Sequence, residues 1–242
     1  MENYRFSILN YQFSIRKEGL MDHKRLTLFA GHYGSGKTNI AVNYAIRLAG
    51  EGKSVCIADL DIVNPYFRTK DSEAELESMG IKLVSPQYAN TNVDLPALPA
   101  ESYRLVQDKS TYGIMDIGGD DRGAYALGRF APYIKEENDY ECLFVANMYR
   151  PLTKTPEEAL AVMREIETAG GIKITAIVNN SNLGELTDGE MVQGSMDYIK
   201  KLSEISGLPV KFTSAREDVA ESLGGIEKGF FPLKLQKKIF EI

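Results

Sequence analysis

Two cysteines and two histidines are all the thiol and imidazole groups that the 242 residues hold. Cys56 and Cys142 form no CxxC pair, and His23 and His32 stand alone, which argues against a zinc centre made of protein side chains. Both cysteines fall inside short apolar runs that read as strands, so they are expected to be buried thiols of a reducing compartment. Apolar runs stop at five to seven residues, too short to cross a membrane. A basic surplus is missing as well. Lys and Arg total 28 against 34 Asp and Glu, a net charge of −6, and no nucleic-acid partner is expected.

The opening MENYRFSILNYQFSIRKEGLM lacks a small-residue cleavage site and a sustained apolar core, so it does not read as a signal peptide. Residues 1–21 are taken as an N-terminal extension with Met21 as the natural start, since codons for Lys17-Glu18-Gly19 can spell a purine-rich ribosome site. If the segment is genuine, alternating Phe6, Ile8 and Phe13, Ile15 point to a peripheral strand or hairpin. LKLQKKIFEI at the other end is short and reads as a packing helix, so no stable membrane anchor is expected and the location is expected to be cytoplasmic.

What is present is an alternation of short apolar runs with helical patterns from residue 22 to 242, without repeat, linker or composition break. Its length and 43% hydrophobic content suit one domain. Such alternation predicts an α/β fold: a doubly wound, mostly parallel sheet with helices on both faces. Expected strands are Leu26–Ala30, Val55–Leu60, Ile81–Val84, Tyr112–Ile117, Leu143–Asn147, Ile172–Val178 and Val210–Phe212. Helices are expected from Lys37 to about Gly50, from a Ser72/Glu75 capping box to Gly80, from Thr155-Pro156-Glu157-Glu158 to Gly170-Gly171, over Gly189–Ile205, and at the C-terminus. The proline-rich stretch 85–100 reads as an irregular connection.

Residues 31–38, GHYGSGKT, follow the first strand and open the first helix, the context of a phosphate-binding loop. Gly31, Gly34 and Gly36 permit close backbone approach, and the amides of the loop, Ser35 and Asn39 included, converge with the positive helix end on an anion. Lys37 can reach the β- and γ-phosphates, and Thr38 can place its hydroxyl on Mg2+. Strand VCIADLD ends in Asp59 and Asp61, strand YGIMDIGG in Asp116, and strand ends of a parallel sheet line the ligand crevice. There a carboxylate can hold a magnesium-bound water or orient the attacking water. Gly118-Gly119 lets the backbone reorient, whereas Asp120 and Asp121 read as cap or turn formers.

The stretch GHYGSGKTNIAVNYAIRLAGEGKSVCIADLDIVNP resembles the opening of the MinD/ParA (SIMIBI-class) group of P-loop ATPases. The resemblance runs on through DIGG, PEEA and IVNN. With DLDIVNPYFR and DIGGDDRGAYALGR it also resembles a bacterial subgroup of ATP-binding proteins. It implies ATP with Mg2+, slow hydrolysis, and a protein partner or a nucleotide-sandwich homodimer. Carried over, Lys37, Asp61 and Asp116 are the catalytic residues, and Thr38, Asp61 and Asp116 the metal residues. Gly119 falls in switch II, and Asn180 or its neighbour Asn179 is the amide that reads the adenine edge. Guanine-specific relatives use an aspartate two residues beyond an Asn-Lys, which NNSN lacks, so ATP is favoured.

One position departs from that pattern. Where the group carries a lysine that reaches across a dimer, this chain has His32. A neutral imidazole cannot stand in for that charge. Arg68, Arg122 and Arg129 flank the switches as cationic substitutes or as surface arginines. Asn64, Tyr66, Phe67 and Arg68 beyond Asp61 either pack on the sheet edge or form a partner surface. The leading reading is an ATPase switch toward a protein partner. The competing ones are an ATP-dependent small-molecule enzyme, kinase- or ligase-like, and a scaffold that only binds nucleotide.

Overall fold

The computed structural model describes residues 23–60, 73–84, 100–119 and 121–235. Asp61, Asn64, Tyr66, Phe67, Arg68, Ser72 and Asp120 lie outside the described residues, as do the N-terminal extension 1–21, the connection 85–99 and the segment 236–242.

The first strand, β1, is Leu26–Ala30, buried at every position because it lies inside the sheet with a helical layer on each face. Helix α1 is Lys37–Gly50 and strand β2 is Val55–Leu60. Short helix α2 (Glu73–Ser78) and strand β3 (Lys82–Val84) come next. Then follow α3 (Arg104–Gln107), β4 (Tyr112–Ile117), α4 (Asp121–Glu137) and β5 (Tyr140–Ala146). The rest is α5 (Pro156–Gly170), β6 (Ala176–Asn179), α6 (Gly189–Gly194), α7 (Met196–Ser206), β7 (Val210–Arg216), α8 (Glu217–Ser222) and β8 (Phe230–Leu233).

Among the described residues the eight strands form one sheet, ordered β3-β2-β4-β1-β5-β6-β7-β8, with every neighbouring pair parallel. The expected doubly wound α/β architecture is therefore present. Alternate residues of each strand feed opposite layers. Leu28 of β1 and Cys142 and Phe144 of β5 join Phe130 and Ile134 of α4, Met163 of α5 and Leu202 of α7. Phe29, Leu143 and Val145 join Ile40, Tyr44 and Leu48 of α1. Each fully buried Leu, Ile or Phe contributes about 1.5–3 kcal/mol. Both thiols are buried, and burial pushes Cys56 up to about 11 and Cys142 up to about 12.

Several elements differ from expectation for local reasons. Helix α4 was not anticipated; Pro132 lies inside it, four residues beyond Gly128. The expected helix 189–205 breaks at Ser195, whose hydroxyl turns back to the Val192 carbonyl at 2.7 Å, a bond that competes with the helical ladder. Strand β5 begins at Tyr140, and β6 covers Ala176–Asn179, starting later than the expected Ile172–Val178 and ending one residue beyond it. A strand not expected from the sequence, β8, precedes the expected C-terminal packing helix 233–242, of which residues 236–242 lie outside the described residues. Among the described residues β8 pairs with β7 alone, an edge position where Pro232 needs no ladder amide on its open side. The Thr155 capping box forms as expected, with Glu158 N donating to Thr155 Oγ1 at 3.2 Å and Thr155 N to Glu158 Oε2 at 3.0 Å.

Two side-chain sets tie distant elements together. Asn43 of α1 accepts from Lys234 N at 2.9 Å and donates to Lys234 O at 3.0 Å, just past β8. Near the strand starts, His23 Nδ1 meets the Tyr44 hydroxyl at 2.7 Å and Nε2 stands 3.2 Å from Glu51. Tyr44 in turn donates to Glu141 at 3.1 Å, and Lys211 donates to the same carboxylate at 2.7 Å.

Candidate functional site

The chain runs from β1 outward to β2 and β3, returns to β4 beside β1, and crosses to β5 on the other flank. This reversal of direction opens a crevice at the carboxyl ends of the strands. Residues 31–38 leave β1 at that point. A Cβ on Gly31 would lie 2.6 Å from the Val145 carbonyl oxygen. Gly36 has φ 92, and a Cβ there would lie 2.2 Å from Asn180 Nδ2. Only glycine fits either place. Gly36 is also the N-cap of α1, so no side chain caps the first helical amides, and the first turn carries no carboxylate. Those amides and the helix dipole are left for an anion.

Within the loop, Ser35 N donates to His32 O at 3.1 Å, and Lys37 Nζ folds back to the same carbonyl at 3.1 Å. The ammonium thus arches across the loop it belongs to. Ser35 Oγ is buried with no hydrogen-bond partner among the described residues. Thr38 Oγ1 donates to Asp116 Oδ2 at 2.6 Å, so the loop hydroxyl and the β4 carboxylate meet directly. Asp59 of β2 lies in register with Asp116, and both are buried. Ile57 and Ile114, two positions before each, pack with α1, so both carboxylates face that helix. Asn39 stands in its first turn, where its carbonyl accepts from Asn43 Nδ2 at 2.7 Å.

The residues after β4 and β6 close on the same loop. A Cβ on Gly119 would lie 2.5 Å from Tyr33 N and 2.8 Å from Tyr33 Cα, so the backbone past Asp116 touches the crown of the loop. Asn180 Nδ2 donates to Ser35 O at 2.6 Å while its Oδ1 accepts from Ser214 at 2.7 Å. Asn179 turns the other way, donating to Ser195 Oγ at 2.8 Å and accepting from Ser181 N at 3.2 Å. The two amides therefore separate: Asn180 joins the phosphate loop and Asn179 anchors α7. Arg122 stands in the first turn of α4, and Arg129 is exposed further along it. Sequence reasoning missed Ser214 and Arg150. Arg150 lies against the loop, its Cζ 3.4 Å from where a Cβ on Gly34 would stand. In sequence Arg150 is more than a hundred positions from the loop, and only the strand order brings it near.

The donor set fits the expected ligands. Hydroxyl and carboxylate oxygens at Thr38 and Asp116 are hard donors of the kind Mg2+ takes. Among the described residues no three or more His, Cys, Asp and Glu side chains converge. One or two protein oxygens, completed by phosphate and water, is the usual magnesium environment.

Fold and loop together define an α/β protein of the P-loop class. No protein-family model and no curated protein sequence matches the chain. Solved structures do. Cell division protein FtsY from Thermotoga maritima is 16% identical over 78% of this chain and 61% of its own, with a TM-score of 0.56. FtsY from Mycoplasma mycoides is 17% identical over 80% and 61%, TM-score 0.52. Chloroplast FtsY from Physcomitrella patens is 20% identical over 79% and 58%, TM-score 0.51. Identity this low carries the fold alone, and the chain spans about three fifths of the length of those structures. Among the described residues no helix is long and apolar enough to cross a membrane.

Proposed function

We propose that the chain binds ATP with Mg2+ and hydrolyses it slowly, as a nucleotide-state switch toward a protein partner or a second copy of itself. The observation that carries this reading is the 2.6 Å contact between Thr38 and Asp116 beneath a loop whose amides, glycines and Lys37 form a phosphate cradle. Bound Mg2+ supplies positive charge to the phosphate oxygens. Lys37 and the amides of Gly34, Ser35, Gly36, Lys37, Thr38 and Asn39 bind and orient the phosphate chain. Thr38 and Asp116 hold the cation's coordination sphere in place. Asp61, two positions beyond Asp59 in sequence and outside the described residues, is assigned to orient the attacking water. Gly119, in backbone contact with Tyr33, couples that state to α4. Asn180 braces the phosphate loop with its amide taken by Ser35 and Ser214, and Asn179 is engaged by Ser195 and Ser181, so neither amide is assigned to the purine edge. The preference for adenine rests on the absence of an Asn-Lys-x-Asp run.

Hydrolysis breaks the bond between the γ-phosphorus and the bridging oxygen while water oxygen bonds to phosphorus. The electron pair leaves on ADP, and the water proton passes to the phosphate product or solvent. Such transfer depends on position and charge more than on covalent help.

Calorimetric titration with MgATP, MgADP and MgGTP, followed by phosphate release, tests the reading. The wild type is expected to bind MgATP more tightly than MgGTP and to turn it over slowly. Lys37→Ala should lose binding or turnover, and Asp61→Ala should bind but turn over about a hundredfold more slowly. No MgATP binding by the wild type overturns the proposal, and unchanged turnover in Asp61→Ala overturns that residue's role.

A further inference from the structure

The turn that follows β5 is built with care and ends against the phosphate loop. Asn147 is buried, and its Oδ1 accepts from Tyr149 N at 3.0 Å and Asn182 N at 3.4 Å. Its main-chain oxygen accepts from Arg150 N at 3.2 Å and from Thr153 Oγ1 at 2.8 Å. Thr153 is fully buried and receives the Tyr198 hydroxyl on its carbonyl at 2.8 Å. Leu152 is held at φ 64, a left-handed conformation that a leucine keeps only when its surroundings impose it. The network fixes the backbone that carries one exposed basic side chain.

That side chain is Arg150. Its Cζ and Nε both lie 3.4 Å from the position a Cβ would take on Gly34, which itself has φ 73. The guanidinium thus stands beside the loop, within van der Waals range of the place a side chain at position 34 would take. Among the described residues no hydrogen bond or ion pair engages its five donors. Lys37 belongs to the same eight-residue loop, so Arg150 brings a second permanent positive charge to it. Position 32 offers only an imidazole, so the loop itself carries one permanent charge.

We infer that Arg150 is a second phosphate-binding cation, acting in cis on the nucleotide triphosphate held by residues 31–38; the inference rests on the nucleotide reading above. A planar guanidinium suits phosphate oxygens through paired N–H donors. As the γ-phosphorus bond breaks, negative charge grows on the oxygen that leaves with ADP, and Arg150 stabilises it from its own chain. A lysine reaching in from a partner copy is then not needed.

The test compares wild type with Arg150→Ala, Arg150→Lys and Arg150→Gln. It reads steady-state kcat and KM for MgATP, the Kd for MgADP, and the urea midpoint. Arg150→Ala is expected to lose about a hundredfold in kcat, with MgADP affinity and urea midpoint close to wild type, and Arg150→Lys to recover part of the rate. Equal kcat in wild type and Arg150→Ala removes the inference alone. So does a joint fall in ADP affinity and urea midpoint at undiminished kcat, which makes the arginine a prop of the loop. Mixing Arg150→Ala with Lys37→Ala should restore nothing; recovered turnover would place the arginine across a dimer and overturn action in cis. A wild type that neither binds nor turns over MgATP removes the nucleotide reading and this inference together.

Discussion

Asn180 donates its side-chain amide to the main-chain oxygen of Ser35 across 2.6 Å, joining residues 145 positions apart. The oxygen of the same amide accepts from Ser214 at 2.7 Å, so the end of β6, the strand β7 and the phosphate loop are fastened by one planar group. The loop's shape is therefore set by tertiary partners as well as by its own glycines.

Replacing Asn180 by alanine leaves the Ser35 carbonyl and the Ser214 hydroxyl without this partner in a buried setting. A cost of about 1–3 kcal/mol in urea unfolding is expected, accompanied by weaker MgATP binding because the loop loses its brace. Unfolding unchanged from wild type would show that the brace carries no stability.

Gly119 and Gly128 make a matched pair. A Cβ on Gly119 would meet Tyr33 N at 2.5 Å, a backbone atom that cannot move without displacing the loop crown. Gly119→Ala should therefore cut MgATP turnover at least tenfold. At Gly128, in the middle of α4, the nearest atom to a Cβ is Ala169 O at 3.7 Å, an ordinary contact. Gly128→Ala should gain about 0.5–1 kcal/mol, since alanine is the better helix former. Urea midpoints and phosphate release on both variants check the contrast.

Burial holds the His23 imidazole below its ordinary value of 6.5, against an opposing pull from Glu51. The unfolded chain then takes up a proton before the folded one does, so stability is full above 6.5 and falls as pH drops toward the folded value. Burial pushes Glu137 and Glu167 up, but hydrogen-bonding partners (Arg25 and Lys109 for Glu137; Arg164, the Ile174 amide and Lys173 for Glu167) hold both below 4.5, and their stabilisation is lost only under more acid conditions. Thermal unfolding from pH 7.5 to 5 should show the first fall, and His23→Gln should flatten it. A slope identical in the variant would assign the effect elsewhere.

The parts legible in sequence are those whose local pattern and tertiary role agree. β1, β2, β4 and α1 have the expected bounds because doubly buried strands read as unbroken apolar runs and α1 keeps one apolar face. The hidden parts are those where context overrides propensity. Gly123, Gly128 and Pro132 break the helical signal of α4, yet Gly123 is needed where a Cβ would meet Gly118 Cα at 2.4 Å. Pro232 conceals β8, whose edge position tolerates it. At the site, motif spacing was enough to bring Thr38 to Asp116. The Asn180 brace and the approach of Arg150 depend on strand order, which spacing along the chain does not encode.

The pair of hydrogen bonds between Asn43 and Lys234 has a consequence for biosynthesis. Helix α1, whose first turn forms the phosphate cradle, sits early in the chain, yet it is pinned to a residue nearly two hundred positions later. Until that later segment has been made, the helix lacks this neighbour. The loop and its helix thus reach their finished form only once residue 234 has been synthesised and folded against them.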